Sequence, residues 1–198
     1  PLQEAVLNSK GLIGIGLDGD ADRVGVIDST GKYFTSLQVC ALLVYYLLGV
    51  RKLKGPIIKS MTLGNMASRL GQLYNVPVHE TGVGFKYIVP VMLGTDALMG
   101  GEESGGLSVK GHVPEKDGIL ACLLMAELVA VERKPLRQIL KQLEKHIGKF
   151  YTDRINVHIN PKQKAAILKR LSKGLDKIGT AKVEKFITTD GYKFLLPN

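Results

Sequence analysis

The stretch PIIKSMTLGNMASRLGQLYNVPVHETGVGFKYIVPVMLGTDALMGG, residues 56–101, decides the fold because short apolar runs alternate in it with longer amphipathic ones. Three runs are short, apolar and bounded by polar or turn residues, which is typical of buried strands. They are residues 56–60, 76–80 and 96–99. Two longer runs with helical spacing predict helices over 64–74 and 83–93, the second ending at Gly94. This alternation predicts an α/β layer architecture with a largely parallel or mixed sheet.

The alternation extends in both directions from this stretch. Towards the N-terminus, residues 12–17 and 24–27 predict two strands joined by a polar loop, and residues 36–48 predict a helix with Ser36 as its N-cap. Towards the C-terminus, the pattern predicts helices over 119–131, 136–147 and 161–171, and strands over 153–159, 183–187 and 192–196.

The composition is that of an ordinary globular protein, with 45% hydrophobic and 23% charged residues. No apolar run approaches the ~20 residues of a membrane span, and the longest, residues 39–50, predicts a buried helix. No signal peptide opens the chain, and its start at Pro1 predicts an excised segment or a processed chain. Cys40 and Cys122 lie in apolar helical patterns without metal-ligand spacing, so we expect free thiols in a cytoplasmic protein.

The net charge of +9 is concentrated between Arg133 and Lys185. A basic surface of this kind fits a nucleic acid or an anionic small substrate. No RNA-binding signature and no interleaving of aromatic and basic residues occurs in this region. A nucleic acid is therefore the less favoured partner, although charge alone does not decide.

Three carboxylates, Asp18, Asp20 and Asp22, stand at alternate positions directly after a predicted strand. Alternating carboxylates in a tight loop can converge on one hard cation, and Mg²⁺ is favoured because it takes its further ligands from phosphate or water. An EF-hand is excluded, since its sixth position requires Gly and its twelfth Glu, where this loop has Arg23 and Ser29. Arg23 offers a planar fork of donors to an anionic or polyhydroxyl substrate. The competing interpretation is a solvated polar turn.

A second loop, residues 101–106, is rich in glycine and carries Glu102 and Ser104. Glycines let the backbone approach a ligand closely, while a carboxylate and a hydroxyl supply an acceptor and a donor. Such a pair suits the hydroxyl groups of a sugar. A polar glycine turn without function explains the same residues equally well.

Two further candidates are a lysine and a histidine. Lys86, in residues 81–86, falls in the first turn of a predicted helix, where an amine beside free backbone N–H groups suits a phosphate. His112, in residues 111–118, is a candidate proton carrier or phosphate contact near neutral pH. Surface lysines and loop histidines are common without any function, so each signal is weak by itself.

In order and separation these four loops resemble those of the α-D-phosphohexomutase superfamily, which comprises phosphoglucomutases and phosphomannomutases. Residues 18–23, Asp-Gly-Asp-Ala-Asp-Arg, look like its metal-binding loop, and residues 101–105, Gly-Glu-Glu-Ser-Gly, look like its sugar-binding loop. Residues 81–86, Thr-Gly-Val-Gly-Phe-Lys, resemble the lysine-bearing loop of its third domain. The resemblance covers essentially the whole chain and implies an α/β fold in which a three-layer mixed sheet is flanked by helices, with partial flanking domains on either side. It divides the chain into three parts. They are residues 1–32, the C-terminal part of the second domain; residues 33–147, the third domain; and residues 148–198, an incomplete start of the fourth.

The resemblance implies an isomerase reaction, in which a phosphoserine donates its phosphoryl group to a hexose 1-phosphate or hexose 6-phosphate. The resulting bisphosphate returns its other phosphate to the serine. The resemblance also implies one Mg²⁺ on Asp18, Asp20 and Asp22, and sugar hydroxyls held by Glu102 and Ser104. Hexose 1,6-bisphosphate is then the activator of the parent enzyme, and the missing domains of that enzyme are the partners of this chain. Neither a nucleic acid nor a membrane is expected as a partner.

Two family motifs, the serine loop Thr-Ala-Ser-His-Asn-Pro and the phosphate loop Arg-x-Ser-Gly-Thr-Glu, do not occur in this sequence. We therefore assign no catalytic residue and expect this chain to be inactive alone. Many family members have His where this chain has Gly106, and His112 is a candidate to compensate. The predicted substrate-binding residues are Arg23, Lys86, Glu102, Ser104 and His112.

Three hypotheses therefore stand. The first is a segment of a phosphohexomutase, for which the form Glu102-Glu103-Ser104 favours glucose or mannose phosphates over glucosamine phosphate. The second is a non-catalytic module that binds Mg²⁺ or a sugar phosphate. The third is a nucleic-acid binder, which would show a steep salt dependence of binding.

Overall fold

The computed structural model of the chain describes residues 1–197; Asn198, the last residue of the predicted fourth-domain segment, lies outside the described residues. The chain divides into two compact units, Pro1–Tyr151 and Thr152–Asn198. None of the helices within residues 1–197 has both the length and the apolar character needed to cross a bilayer.

The centre of the first unit is a four-stranded mixed sheet with the strand order β5-β4-β6-β7. Its strands are β4 (Ile57–Ser60), β5 (Val78–Thr81), β6 (Met99–Gly101) and β7 (Leu107–Val109). Strand β4 is parallel to both neighbours and pairs Ile57 with Val78 on one side and with Met99 on the other. Strand β7 closes the edge antiparallel to β6. The predicted mixed sheet is confirmed.

Helices cover both faces of this sheet. They are α2 (Ser36–Tyr45), continued by a π-helical turn (Tyr46–Val50), α3 (Met66–Tyr74), α4 (Phe85–Thr95), α5 (Gly118–Glu132) and α6 (Leu136–Ile147). Successive strand residues point to opposite faces, and Ile57 and Ile58 accordingly enter different clusters. Ile57 joins the large core formed with α2, α3, α5 and α6, whereas Ile58 packs against Ile88 and Met92 of α4. The three-layer α/β prediction is therefore confirmed.

A smaller antiparallel sheet precedes α2 and shares the same core. Its strands are β1 (Ile13–Leu17), β2 (Val24–Asp28) and β3 (Tyr33–Phe34), in that order, after helix α1 (Leu2–Ser9). Val24 and Val26 of β2 belong to the large core cluster. Buried Asp28 ends β2 and accepts a 2.7 Å hydrogen bond from Arg137 of α6. These contacts lie within one compact unit, and the predicted domain boundaries at residues 32 and 147 stay predictions.

Several element bounds differ from the sequence prediction. The N-cap of α2 is Thr35 rather than Ser36, because Thr35 and Gln38 form a reciprocal capping box and the Ser36 hydroxyl donates to the carbonyl of Glu103 instead. Helix α4 continues through Gly94 to Thr95, since a single helical glycine costs only about 1 kcal/mol. The predicted strand over 153–159 is wrong, as that segment pairs with no strand of the described chain.

In its described residues, 152–197, the second unit contains one helix and two small hairpins. They are α7 (Pro161–Leu171), β8 (Lys177–Ile178) with β9 (Ala181–Lys182), and β10 (Lys185–Ile187) with β11 (Lys193–Leu195). The helix begins and ends as predicted, since Asn160 caps it with Gln163 in a capping box and Pro161 occupies its first turn. The ring of Phe186 stacks on those of Tyr192 and Phe194.

Candidate functional site

The three aspartates lie in the loop that joins β1 to β2. Because Leu17 pairs with Val24, the loop is tight, and Ala21 adopts the left-handed conformation to close it. Each of Asp18, Asp20 and Asp22 offers a carboxylate oxygen, and these oxygens lie within 4.8 Å of one another. Ligands at 2.0–2.1 Å from Mg²⁺ stand at most about 4.2 Å apart. Among any three octahedral ligands at least two pairs are neighbours about 2.9 Å apart, so the aspartate loop (residues 18–22) needs to contract by up to about 2 Å to hold such an ion through three oxygens.

Arg23 neutralises part of this negative charge. Its Nε forms ion pairs with Asp18 and, at 3.2 Å, with Asp22, and its backbone N–H donates to Asp18 at 3.1 Å. Partial desolvation acts to raise the pKa of Asp18, but the hydrogen bonds from Arg23 outweigh it and hold that pKa below its ordinary value. Asp18 is therefore kept ionised, which is the state a cation requires.

The sugar loop predicted from the sequence (residues 101–106) links β6 to β7. The N–H of Glu102 donates to the carbonyl of Gly106 and that of Gly105 to the carbonyl of Glu102, both at 3.1 Å. Gly105 has a φ of 98°, which a residue with a side chain rarely adopts. Ser104 donates its hydroxyl to the buried Glu102 carboxylate at 2.7 Å. The turn therefore presents this carboxylate and hydroxyl as one preformed pair.

Two contacts join the sugar loop and the aspartate loop. Arg23 and Gly106 form an antiparallel β-bridge, so the backbones of the two loops lie side by side. Lys116 forms an ion pair with Asp22, and its Nζ lies 3.9 Å from Glu102. The hydrogen bond to Asp22 raises the pKa of Lys116, which keeps the amine charged.

The sequence patterns did not predict that Lys116 belongs to the site. It lies in the loop of residues 111–118, but its partners are distant in sequence, and no spacing rule brings them together. Gly106 is the structural signal, because a Cβ at that position would lie 2.4 Å from Cδ of Lys116. The glycine at 106 thus leaves the space that the lysine occupies.

The structure does not bring Lys86 or His112 into direct contact with the three aspartates of the aspartate loop. Lys86 is exposed in the first turn of α4, with its Nζ 4.8 Å from the ring of Tyr87. Nε2 of His112 lies 2.7 Å from the carboxylate of Asp117, which also caps α5 by accepting from the N–H of Leu120 at 2.9 Å. The bond from Leu120, followed by that from His112, lowers the pKa of Asp117. His112 therefore braces the loop that carries Lys116, and its substrate role stays a prediction.

Fold and site together define a class: a three-layer α/β domain in which an acidic loop suited to a cation lies beside a carboxylate–hydroxyl loop. Residues 35–147 match the family described as phosphoglucomutase/phosphomannomutase, alpha/beta/alpha domain III. That match covers more than half of the chain. The chain belongs to this family, within the α-D-phosphohexomutase superfamily, as the four loops predicted.

Relatives of the chain agree with this assignment. This chain is 34% identical over 151 residues to a phosphoglucosamine mutase of Nitratidesulfovibrio vulgaris, a match that covers 76% of this chain and 33% of the relative. A crystal structure assigned provisionally to a phosphomannomutase of Thermus thermophilus superposes with a TM-score of 0.77 at 33% identity, covering 98% of this chain and 41% of that one.

A phosphoglucomutase/phosphomannomutase family protein of Burkholderia thailandensis, at 19% identity, shows the same fold with a TM-score of 0.71 over 98% of this chain and 39% of that one. The chain thus spans about one third of the length of the phosphoglucosamine mutase that it matches.

Proposed function

We propose that this chain supplies the cation-binding and sugar-binding loops of a phosphohexomutase, which interconverts a hexose 1-phosphate and a hexose 6-phosphate through a phosphoserine and a bisphosphate. One observation carries the proposal: Lys116 connects Asp22 of the aspartate loop to Glu102 of the sugar loop. A group transferred next to the cation would therefore lie beside the groups that hold the sugar.

Asp18, Asp20 and Asp22 are the residues that would hold Mg²⁺. When bound, Mg²⁺ neutralises negative charge on a phosphoryl group during its transfer. Arg23 and Lys116 add two fixed positive charges at the same place, and each is already positioned by an aspartate. The chain's own contribution is thus a preorganised positive field for a phosphorylated substrate.

Glu102 and Ser104 would hold two sugar hydroxyls, the carboxylate as acceptor and the hydroxyl as donor or acceptor. A mutase must bind its sugar in two orientations, so that either phosphate can face the phosphoserine. A preformed pair on a short turn suits this task, because it binds adjacent hydroxyls without reading the rest of the ring.

The sugar itself is a separate question. The loop form Glu102-Glu103-Ser104 favours glucose or mannose phosphates, whereas the curated relative is named a phosphoglucosamine mutase. A panel of the three hexose phosphates therefore tests the substrate. The two unpaired, buried cysteines support the prediction of a cytoplasmic enzyme.

Calorimetric titration with Mg²⁺ tests the metal assignment. We expect Asp20→Ala to weaken Mg²⁺ binding at least tenfold, because affinity depends on the number of charged ligands. Asp153→Ala removes an exposed carboxylate of the second unit and should leave the titration unchanged. Identical, metal-independent heats for the wild type and Asp20→Ala would remove the aspartate loop from the site.

A turnover assay tests whether the phosphoserine comes from another part of the enzyme. The chain alone, supplied with glucose 1-phosphate, glucose 1,6-bisphosphate and Mg²⁺, should give no glucose 6-phosphate, because its sequence contains no serine loop. Robust turnover would contradict the proposal that the phosphoserine comes from another part of the enzyme.

A further inference from the structure

Glu103 stands between the two predicted sugar contacts but binds elsewhere. Its carboxylate accepts a hydrogen bond from the hydroxyl of Thr62 and a second, at 3.4 Å, from that of Ser60. The two hydroxyls are themselves 3.0 Å apart, so the three side chains form a closed cluster at the end of β4. None of the predicted site residues takes part in this cluster.

The backbone of the same residue is held from a second direction. The carbonyl of Glu103 accepts a hydrogen bond from the hydroxyl of Ser36, the first residue of α2. The sugar loop is thus attached to β4 through one side chain and to α2 through one carbonyl. Both of these elements belong to the core of the first unit, to which β4 contributes Ile57 and α2 contributes Leu42.

This attachment separates the tasks of neighbouring residues. Glu102 and Ser104 bond to each other, and they retain further acceptor and donor capacity for a ligand. A short loop with three glycines would otherwise sample many conformations, since glycine restricts the backbone least. A charged acceptor that receives two hydroxyl bonds is a strong restraint on such a loop.

We propose that Glu103 is a positioning residue of the sugar loop: bound to Thr62 and Ser60, it holds Glu102 and Ser104 in the geometry that receives the sugar. We call the hydrogen bonds of the Glu103 carboxylate with Thr62 and Ser60 the anchor of the loop, and the anchor rests on the observed contacts alone. Only its purpose, the positioning of sugar contacts, rests on the proposed function.

Hydrogen exchange of the full chain tests the anchor. In Glu103→Ala we expect the amides of Glu102 and Gly105 to exchange roughly tenfold faster or more, because a hydrogen bond to a charged group is lost. Amides of β4 serve as the internal reference and should not change. Glu103→Gln keeps an acceptor and should fall between the wild type and Glu103→Ala.

The partner hydroxyl supplies the matched control. Thr62→Val should reproduce most of the faster exchange of Glu103→Ala, because only the longer bond from Ser60 remains, whereas Thr62→Ser keeps the hydroxyl and should exchange like the wild type. The double variant Glu103→Ala with Thr62→Val should be no faster than Glu103→Ala, since the bond from Thr62 is already lost in that single variant. Unchanged exchange in Glu103→Ala, or fully additive effects in the double variant, would overturn the anchor.

Titration with glucose 1,6-bisphosphate tests the purpose. We expect a severalfold loss of affinity in Glu103→Ala and recovery of most of it in Glu103→Gln, which a general loss of stability would not produce. Equal affinity of wild type and Glu103→Ala, with faster loop exchange, would overturn the positioning role and leave the anchor. If the wild type fails to bind the bisphosphate, the sugar assignment of the proposed function falls, while the exchange experiment still decides the anchor.

Discussion

Both units of the chain contain apolar runs that predict strands, but apolar residues of these runs are buried in the first unit and at least partly exposed in the second. In the first unit, Ile57 and Ile58 of β4 are fully buried, each in a different cluster. In the second, Ile155 and Val157 alternate with polar residues as in a strand, yet they are 81% and 68% exposed. No residue of the second unit is buried among those that the structure describes.

This difference shows what an apolar pattern means physically. Alternation states which face of a strand would be buried if a neighbour were present. Strand β4 has a neighbour on each side, whereas the segment over 153–159 has none within the described chain. An isolated extended segment leaves its backbone groups to water, so the pattern alone does not produce a strand.

Paired leucine truncations are the strongest way to break this comparison. Leu128→Ala removes a fully buried side chain of α5 and should lower the free energy of unfolding by about 2–5 kcal/mol, because it leaves a cavity. Leu168→Ala, in α7, removes a side chain that is 42% exposed and should change it by less than about 0.5 kcal/mol. Chemical denaturation followed by circular dichroism measures both.

Equal losses in the two leucine variants would contradict the contrast, since they would require Leu168 to be buried in solution. A loss for Leu168→Ala alone would reverse it.

A second test uses the buried charge that joins the small sheet to α6. Asp28→Asn keeps acceptors for Thr30 and Lys32 but removes the charge that faces Arg137. We expect a loss of about 1–3 kcal/mol at pH 7, towards the lower end because the Arg137 side chain is 36% exposed. Asp153→Asn, an exposed site in the second unit, is the control and should have no effect.

The pH dependence gives the sign of this contribution. Burial acts to raise the pKa of Asp28, but the hydrogen bonds from Thr30 and Lys32 and the charge of Arg137 lower it below its ordinary value. A lowered native pKa contributes stability that is present above the unfolded pKa, about 3.9, and is lost as the pH falls through the native one. The wild type and Asp28→Asn should therefore differ from pH 5 to 7 and converge in acid; a constant difference would contradict this account.

Local signals explain which parts of this fold were predictable. Helices α6 and α7 have their predicted bounds, because proline at the start of each and Gly148 after α6 act within a few residues. Strand β7 was missed, since three residues carry little periodicity and the strand exists through pairing with β6. The same division applies to the site. The spacing of the three aspartates is local and was read directly, whereas Lys116 meets Asp22 only through the tertiary fold.

The two units also differ in how their charged side chains are placed: Lys116 of the first unit is fixed in an ion pair, whereas Lys162 of the second unit is exposed. In the first unit this lysine is held against Asp22 and competes with a cation for that carboxylate. Lys116→Met should tighten Mg²⁺ binding about fivefold, since a unit charge near 4 Å in water contributes about 1 kcal/mol. Lys162→Met, in the exposed helix α7, changes the net charge equally and should leave the affinity unchanged. Weaker Mg²⁺ binding in Lys116→Met would mean that the lysine supports the loop rather than competing for it.

The smallest expected effect is the most direct test of the missing strand. Val157→Pro removes a backbone N–H, which is costly inside a sheet because a ladder hydrogen bond is lost. Residues 153–159 form no ladder, and Val157 is largely exposed, so the free energy of unfolding should change by less than about 0.5 kcal/mol. The same substitution at Ile58, in strand β4 with a parallel neighbour on each side, should prevent folding. A measurable loss in Val157→Pro would show that the alternating segment finds a strand partner in solution, and the two units would then obey the same rule.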